Sequence, residues 1–218
     1  MSTSGATSIV FEALGVEHQF SPGRGLYGAT FTHEGPGCVA VLGANGAGKS
    51  TLLRIVAGLL KPTRGSLELR LDGKSIAPAA RRDVVGYASP ELSFYDELTV
   101  AENLLFVAEA RGLDDRVGRV RKALERVGLV PREHDRVAAL SSGMKQRLRL
   151  AFAVLHEPAV LLLDEPGSHL DEPGRALTES IVAAHRETGL VLLATNDPRE
   201  TTLADSQLEL SRGVGNPS

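Results

Sequence analysis

A glycine-rich octapeptide at residues 43–50 is the segment of this chain that most clearly predicts chemistry. It reads glycine, four free positions, then Gly-Lys-Ser, and it stands between a strand pattern and a helix pattern. Glycines in such a turn let backbone N–H groups close around phosphate oxygens, and the helix start adds partial positive charge. A lysine there can reach the terminal phosphates, and a serine hydroxyl suits Mg²⁺. We therefore expect nucleotide phosphates to bind at Gly43, Ala44, Asn45, Gly46, Ala47, Gly48, Lys49, Ser50 and Thr51.

Two acidic residues, Asp164 and Glu165, follow a continuous apolar run. The run predicts a buried strand, and ligands bind at the carboxyl ends of the strands in parallel sheets. We expect Asp164 and Ser50 to hold Mg²⁺, directly or through water. Glu165 is expected to point elsewhere and to polarise an attacking water as the catalytic base. Lys49 is the second catalytic candidate, which we expect to be an exposed loop cation at the phosphates.

The elements that must position these residues alternate between strands and helices. Apolar or alternating runs predict strands at 38–42, 66–71, 84–88, 159–164, 190–195 and, as an edge strand, 207–210. Helical spacing of apolar residues predicts helices at 49–60, 99–111, 117–127 and 142–156, of which the second has a Thr99–Glu102 capping box. The simplest arrangement is an α/β core interrupted by a helical insertion. The continuous apolar strands favour a mainly parallel sheet that is covered on both faces.

Composition and charge argue against several classes of protein. The chain has 218 residues, of which 42 % are hydrophobic and 23 % charged, which is typical of a globular protein and not of a disordered one. Its longest apolar runs are strand-sized, so no membrane-spanning helix is expected, and residues 1–8 lack the pattern of a signal peptide. The single cysteine, Cys38, excludes an internal disulfide, and the net charge of −3 argues against a general affinity for nucleic acid.

A third segment, residues 140–147, completes a resemblance to a known family. It reads Leu-Ser-Ser-Gly-Met-Lys-Gln-Arg and resembles the signature motif of the ATP-binding-cassette (ABC) ATPases. Ser142 replaces a glycine and Met144 a glutamine, a form that is common among export-type cassettes. Ser141 lies 23 residues before the first acidic residue of the pair, as in the family layout. Ser141 and Gly143 are expected to begin a helix whose positive end points outward. Alone, this stretch would also fit a plain helix cap.

The resemblance extends over about residues 9–212 and implies roles for further positions. The nucleotide of a second subunit would meet Ser141, Gly143 and Met144. Phe20 lies 29 residues before Lys49, where the family has an aromatic residue that stacks on adenine, although a lone aromatic also fits a core position. The loop through which two subunits sense each other would contain Ser168, His169 and Asp171, with His169 where glycine is usual.

The fold implied by the resemblance is an α/β phosphate-loop NTPase core with an inserted α-helical sub-domain. The core has a mainly parallel sheet with helices on both faces and an antiparallel N-terminal β portion. One ATP-binding domain is expected at 9–212, with the helical sub-domain at about 90–156. Residues 1–8 are expected to be a disordered lead and 213–218 a frayed tail.

The assembly implied by the resemblance is a pair of cassettes that sandwich two ATP molecules with Mg²⁺. The pair would be a homodimer, or a heterodimer with another cassette, attached to a separate integral membrane subunit and bound to no nucleic acid. We expect the chain to be cytoplasmic and peripheral on the inner face of the cell membrane. Its short length looks most like the haem-exporter subunit of cytochrome c maturation, with small drug or polysaccharide exporters as alternatives.

Two positions depart from the family pattern. Pro90 stands where a glutamine senses Mg²⁺ and water, and Asn196 stands where a histidine contacts the γ-phosphate. Proline offers no side-chain donor or acceptor, and a neutral amide carries no positive charge. Asn196 is the third catalytic candidate, but hydrolysis is expected to be slow. The alternative function is therefore a nucleotide-gated clamp or regulatory subunit with weak hydrolysis. A DNA-repair or translation cassette is disfavoured, since the sequence has no coiled-coil arms, second cassette or basic block.

Overall fold

The computed structural model describes residues 8–21 and 24–211, in which nine strands form two sheets. The strands are β1 (Ile9–Ser21), β2 (Arg24–Glu34), β3 (Gly37–Leu42), β4 (Arg64–Leu71), β5 (Lys74–Ser75), β6 (Val85–Ala88), β7 (Val160–Asp164), β8 (Leu190–Ala194) and β9 (Ser206–Glu209). The helices are α1 (Lys49–Val56), α2 (Arg81–Val84), α3 (Val100–Ala110), α4 (Arg116–Arg126), α5 (Ser142–Val154), α6 (Glu172–Arg186) and α7 (Pro198–Thr201). Within these ranges no helix combines the length and the hydropathy that a bilayer span requires.

The five-stranded sheet positions most of the candidate residues at the carboxyl ends of its strands. Its order is β6-β7-β8-β3-β9, and every neighbouring pair is parallel. Strands β7 and β8 are buried at every position. Leu190 and Leu192 of β8 belong to one apolar cluster, whereas Val191 and Leu193 belong to another. The sheet therefore lies between two apolar layers, as its continuous apolar strands predict.

The antiparallel sheet, in the order β2-β1-β4-β5, covers the first of these layers. Phe11, Leu26 and Leu69 of its strands are buried, and they join the cluster that also contains Leu52 and Leu53 of α1. Helix α1 is thus packed within an apolar layer shared by the two sheets, which fixes the position of its N-terminus. This arrangement confirms the expected antiparallel N-terminal portion.

Helices α3, α4 and α5 form the helical sub-domain, and their apolar faces join the second cluster, which also contains residues of the parallel sheet and of α6. Leu104 of α3, Leu124 of α4 and Leu148 of α5 are inaccessible to solvent. The capping box of α3 is confirmed, because the Thr99 hydroxyl accepts from the Glu102 amide at 3.1 Å and the Glu102 carboxylate accepts from the Thr99 amide at 2.7 Å. The α/β core with a helical insertion is therefore the observed fold class.

Most element boundaries differ from the sequence prediction by one to four residues, as at α1 and β6. Helix α1 ends at Val56 and not at residue 60, because Gly58 adopts a positive φ of 76° and its amide bonds to the Ile55 carbonyl at 3.0 Å. Val84 is the last residue of the short helix α2, so β6 begins one residue later than expected. The strand predicted at 207–210 is confirmed as the edge strand β9, at 206–209.

The expected chain ends are only partly within the described residues. Residues 1–7 of the expected lead and all of the expected tail at 213–218 lie outside them. Ser8, the last residue of the lead, is described, and its amide donates to Asp72 Oδ1 at 2.9 Å. Ser8 therefore belongs to the structured part of the chain. Strands β1 and β2 and helix α6 are not among the segments that the sequence analysis predicts one by one.

Candidate functional site

The glycine-rich loop joins β3 to α1 and has backbone geometry that other residues would not tolerate. Gly43 has φ +147°, and a Cβ there would lie 2.6 Å from the Leu210 carbonyl oxygen. Gly48 has φ +100°, and a Cβ there would lie 2.8 Å from Leu26 Cα. Gly48 is also the N-cap residue of α1 and has no side chain with which to cap it. The first backbone amides of α1 can therefore donate hydrogen bonds to an anion such as a phosphate.

Lys49 is buried, so the expectation of an exposed loop cation is wrong. Only 6 % of the residue is exposed to solvent, because it is the first residue of α1 and its side chain folds back along the loop. Its ammonium group donates to the Gly43 carbonyl at 2.7 Å and to Asn196 Oδ1 at 3.2 Å. These contacts fix the positive charge between the glycine-rich loop and the carboxyl end of β8.

Asp164, at the end of β7, lies beside Ser50 as the metal prediction requires. It is 3 % exposed, and burial raises the pKa of its carboxyl group, although hydrogen bonds from the Ser50 and Tyr87 hydroxyls counteract this rise. The Tyr87 hydroxyl donates to Asp164 Oδ2 at 3.3 Å. A carboxylate next to a hydroxyl is a set of hard oxygen donors, which fits Mg²⁺. Tyr87 is a contact that sequence reasoning missed, because the pairing of β6 with β7 was not known.

Glu165 is exposed and turns away from the strand that ends at Asp164. Its φ is +48°, and its amide donates to the Ala194 carbonyl at 2.8 Å, so the chain turns while still attached to β8. It lines a cavity of about 320 Å³ together with residues of the glycine-rich loop and of the two loops after β7 and β8. Glu165 therefore faces a cavity that it shares with Asn45 and Asn196, and its role as the catalytic base stays a prediction.

Asn196 follows β8 and contacts two residues of the predicted phosphate site. Its Oδ1 accepts from the Lys49 ammonium group, and its Nδ2 donates to Asn45 Oδ1 at 2.9 Å. A neutral amide can donate and accept at the same time, which allows it to join a cation to another amide. The structure therefore brings Asn196 to the phosphate loop, where the sequence places a γ-phosphate contact.

The predicted signature segment caps α5 and contacts the loop after β7. The Ser141 hydroxyl accepts from the Met144 amide at 3.2 Å, and Ser141 itself is exposed. A Cβ on Gly143 would lie 3.0 Å from the His169 carbonyl oxygen, so the two segments are in contact. Gln146 donates to the Pro166 carbonyl at 3.1 Å, which adds a second link. The structure thus pairs the segment with the loop of its own chain.

The predicted subunit-sensing loop, residues 168–171, turns sharply before α6. His169 is exposed and adopts a φ of +63°, a conformation that favours glycine, which gives a physical reason for glycine at this position in the family. The Asp171 carboxylate accepts from the Gly174 amide at 3.0 Å and so caps α6. The Ser168 amide bonds to the Glu165 carbonyl at 3.1 Å.

Phe20 is a surface residue near the end of β1 and not part of the core. It is 51 % exposed, and its ring meets the edge of His18 at a centroid distance of 4.7 Å. An exposed ring is available to stack on a base, which the core alternative would not allow. Its role with adenine stays a prediction.

Pro90 lies in the loop after β6, which polar contacts of the neighbouring residues hold in place. The Glu91 amide donates to the Ser89 hydroxyl at 3.3 Å, and the Glu91 carboxylate pairs with Arg54 of α1. Pro90 is exposed and lines one cleft with Glu165 and with residues of α5. The departure at Pro90 therefore lies in a loop that borders both the helical sub-domain and the candidate base.

Comparison with known proteins identifies relatives over most of the chain. A family model described as ABC transporter matches residues 26–168. The uncharacterized ABC transporter ATP-binding protein YxlF of Bacillus subtilis is 41 % identical to this chain. The alignment covers 73 % of this chain but only 53 % of YxlF. The lipoprotein-releasing system ATP-binding protein LolD of Nitratidesulfovibrio vulgaris is 34 % identical over 98 % of this chain and 96 % of its own length.

The fold is also that of a solved cassette structure. A dimeric, post-hydrolysis structure of the ATP-binding cassette MJ0796, bound to ADP and Pi, superposes with a TM-score of 0.81. The alignment covers 93 % of this chain and 95 % of that one, at 23 % sequence identity. At this identity the likeness concerns the fold alone.

Proposed function

Because this chain belongs to the ABC transporter family, we propose that it binds and hydrolyses ATP as the energy-supplying subunit of a transporter. One observation carries the proposal. The Lys49 ammonium group, the Ser50 hydroxyl and the Asp164 carboxylate converge at the carboxyl ends of adjacent parallel strands, beside the amides at the start of α1. This is the place where α/β sheets bind ligands.

Each residue has a distinct part in the proposed reaction. Lys49 and the first amides of α1 bind the phosphates and offset their charge. Ser50 and Asp164 would hold Mg²⁺, which would offset the negative charge that develops on the phosphate oxygens. Glu165 accepts a proton from the attacking water, and Asn196 donates a neutral hydrogen bond to the transferred phosphate.

The working form is proposed to be a dimer that closes around two ATP molecules. Ser141, and His169 and Asp171 of the subunit-sensing loop, are exposed, so a second cassette can reach them. In this dimer Ser141, Gly143 and Met144 contact the nucleotide held by the other copy, and Phe20 stacks on adenine. The dimeric assembly described for MJ0796 is consistent with this arrangement. The second cassette is a copy of this chain or a related one.

The transport pathway is proposed to lie in a separate integral membrane subunit, with this chain on the cytoplasmic face. LolD, a relative of nearly the same length, is named for a lipoprotein-releasing system. We propose an export direction from the Ser-x-Gly-Met form of the signature segment. Haem export for cytochrome c maturation stays a prediction, and neither YxlF nor LolD has a name that refers to haem export.

The second candidate function is a nucleotide-gated clamp or regulatory subunit with weak hydrolysis. Pro90 and Asn196 favour this second function. In the ABC ATPases, the side chains that they replace act on Mg²⁺, water or the γ-phosphate. Both candidates require ATP binding at residues 43–51. They differ in whether bound ATP is turned over on the timescale of transport.

A phosphate-release experiment distinguishes the two functions. Purified full-length protein is mixed with Mg-ATP in single-turnover and steady-state assays, with EDTA as the control for metal dependence. Mg²⁺-dependent release in repeated turnovers supports the transporter ATPase. ATP binding without release within a single turnover, with or without the membrane subunit, contradicts it and supports the clamp.

A further inference from the structure

A buried carboxylate, Glu200 on α7, lies between the two loops that carry Glu165 and Asn196. Glu200 is 8 % exposed, and burial raises the pKa of its carboxyl group. The carboxylate accepts hydrogen bonds from the Thr195 hydroxyl and from the Gly167 backbone amide. Thr195 lies in the loop after β8, and Gly167 lies in the loop after β7. One side chain therefore joins the two loops.

The Glu200 carboxylate packs directly against the backbone of Gly167. A Cβ at this position would lie 2.3 Å from Glu200 Oε1, far inside van der Waals contact. Any larger residue at 167 would push the carboxylate away from the backbone amide. The join between the loops therefore depends on both members of the pair.

A second link joins the same loops through an ion pair. Arg175 of α6 donates to Asp197 Oδ2 at 2.8 Å, and both side chains are about one-third exposed. Arg175 also donates to the Leu170 carbonyl at 3.4 Å, so it contacts the subunit-sensing loop as well. The Asp197 amide in turn donates to the Thr195 hydroxyl at 2.9 Å. Charge pairing and backbone contacts thus connect residues 165–171 with residues 195–197.

We propose that Glu200 is a positioning residue that makes these two loops move as one unit. This inference rests on the proposed function, in which Glu165 activates water and Asn196 contacts the phosphate. Glu200 touches neither substrate nor metal in this scheme. It fixes the distance between the two residues that do act, and it transmits a displacement of the subunit-sensing loop to Asn196. Engagement of the second cassette would then be coupled to the phosphate contact.

Kinetic variants test the positioning role. Glu200→Ala should lower kcat about 10- to 100-fold, as small misplacements of reacting groups do, while KM and the ATP Kd stay within about twofold. Glu200→Gln should restore most of the rate, because its Oε1 still accepts from the Gly167 amide. Gly167→Ala should reproduce the loss, and the double variant with Glu200→Ala should lose no more than either alone.

The matched control is Glu172→Gln, which removes an exposed pair with Arg199 between the same two helices, α6 and α7. It should leave kcat unchanged. Unchanged kcat in Glu200→Ala, or equal losses of kcat, ATP affinity and thermal stability without rescue by Glu200→Gln, would overturn the proposal.

Hydrogen exchange on nucleotide-free, full-length protein separates this inference from the proposed function. Gly167→Ala should raise exchange in residues 195–201, and Glu200→Ala should raise it in residues 165–171, while Glu172→Gln changes neither. If these exchange changes occur in a protein that hydrolyses no ATP, the proposed function is wrong but the structural coupling between the loops is supported. Active hydrolysis with exchange changes confined to the mutated segment would overturn the coupling itself.

Discussion

At the scale of single residues, the site depends on a buried cation. Lys49 has contacts with the Gly43 carbonyl and with Asn196, and it lies 6 % exposed at the start of α1. Charge-assisted hydrogen bonds of this kind contribute about 1.5–3 kcal/mol each. Lys49 therefore stabilises the local structure in addition to its proposed contact with the nucleotide, which an exposed loop cation would not do.

We expect Lys49→Ala to weaken ATP binding at least about tenfold, since one charge-assisted contact to phosphate is lost. Because the residue is buried, we also expect a modest loss of thermal stability. Equilibrium titration with a fluorescent ATP analogue measures the first effect, and thermal denaturation without nucleotide measures the second. Unchanged affinity in a folded variant would contradict the assignment of the glycine-rich loop.

A second residue prediction concerns Asn196. A missing transition-state donor typically costs about 10²- to 10³-fold in rate, so Asn196→His should raise turnover with little change in ATP affinity. Pro90→Gln alone should do less, because the loop backbone that proline has shaped remains. Steady-state phosphate release by both variants tests this. A rate that is unchanged or lower in Asn196→His would show that this protein senses the γ-phosphate in its own way.

At the scale of elements, local signals predicted most of the fold. The glycine-rich loop between a strand and a helix, the acidic strand end and the Thr99 capping box each depend on neighbours within a few residues, and the structure contains all three. Helix α6 also had local signals, namely the Asp171 cap and the early proline at 173. Strand β1 had its own signal in the alternation of buried Ile9, Phe11 and Ala13.

Contacts between distant segments could not be predicted in the same way. Three contacts are of this kind, because only the order of the strands brings their residues together. They are the Lys49–Asn196 hydrogen bond, the Tyr87–Asp164 hydrogen bond and the Glu200–Gly167 contact. A single sequence contains the residue types of such pairs but not the strand order. The sequence therefore predicted which residues lie near one another at the candidate site better than it predicted the contacts between them.

The close packing of α5 on β6 leads to a prediction at this scale. A Cβ on Gly86 would lie 2.0 Å from the Ala153 carbonyl, a backbone atom that cannot rotate away. Gly86→Ala should therefore lower the free energy of unfolding by about 3 kcal/mol, the upper end of overpacking costs. Chemical denaturation measures this change. Gly73→Ala is the control, because a Cβ at this position would meet no neighbouring atom and only the positive φ of 74° is unfavourable. This variant should lower the free energy of unfolding by about 1 kcal/mol. Equal losses in the two variants would refute the packing argument.

At the scale of the whole molecule, the described residues form one of the two cassettes of the proposed dimer. The proposed phosphate site is built from the ends of β3, β7 and β8 and the start of α1. The predicted signature segment begins α5 in the helical sub-domain and contacts the loop after β7. A second cassette that presents its own α5 would complete the nucleotide site. The free energy of ATP binding can then be used to close the pair, and hydrolysis can release it.

Trapping the ATP state tests this assembly. Glu165→Gln should keep ATP binding, because residue 165 is exposed and lies outside the phosphate loop, but it should prevent water activation. The variant should therefore accumulate as an ATP-bound dimer. Size-exclusion chromatography with Mg-ATP should show a shift from monomer to dimer that EDTA abolishes.

Ser141→Arg, added to Glu165→Gln, should abolish the shift, since Ser141 is exposed at the start of α5 and an arginine there would occupy the space of the opposing nucleotide. Ser66→Arg is the matched control, because it places the same side chain at an exposed position of β4 in the antiparallel sheet. The control should dimerise normally. A Glu165→Gln protein that binds ATP and stays monomeric at every concentration would contradict the two-cassette arrangement, whereas dimers that survive Ser141→Arg would show that the interface lies elsewhere.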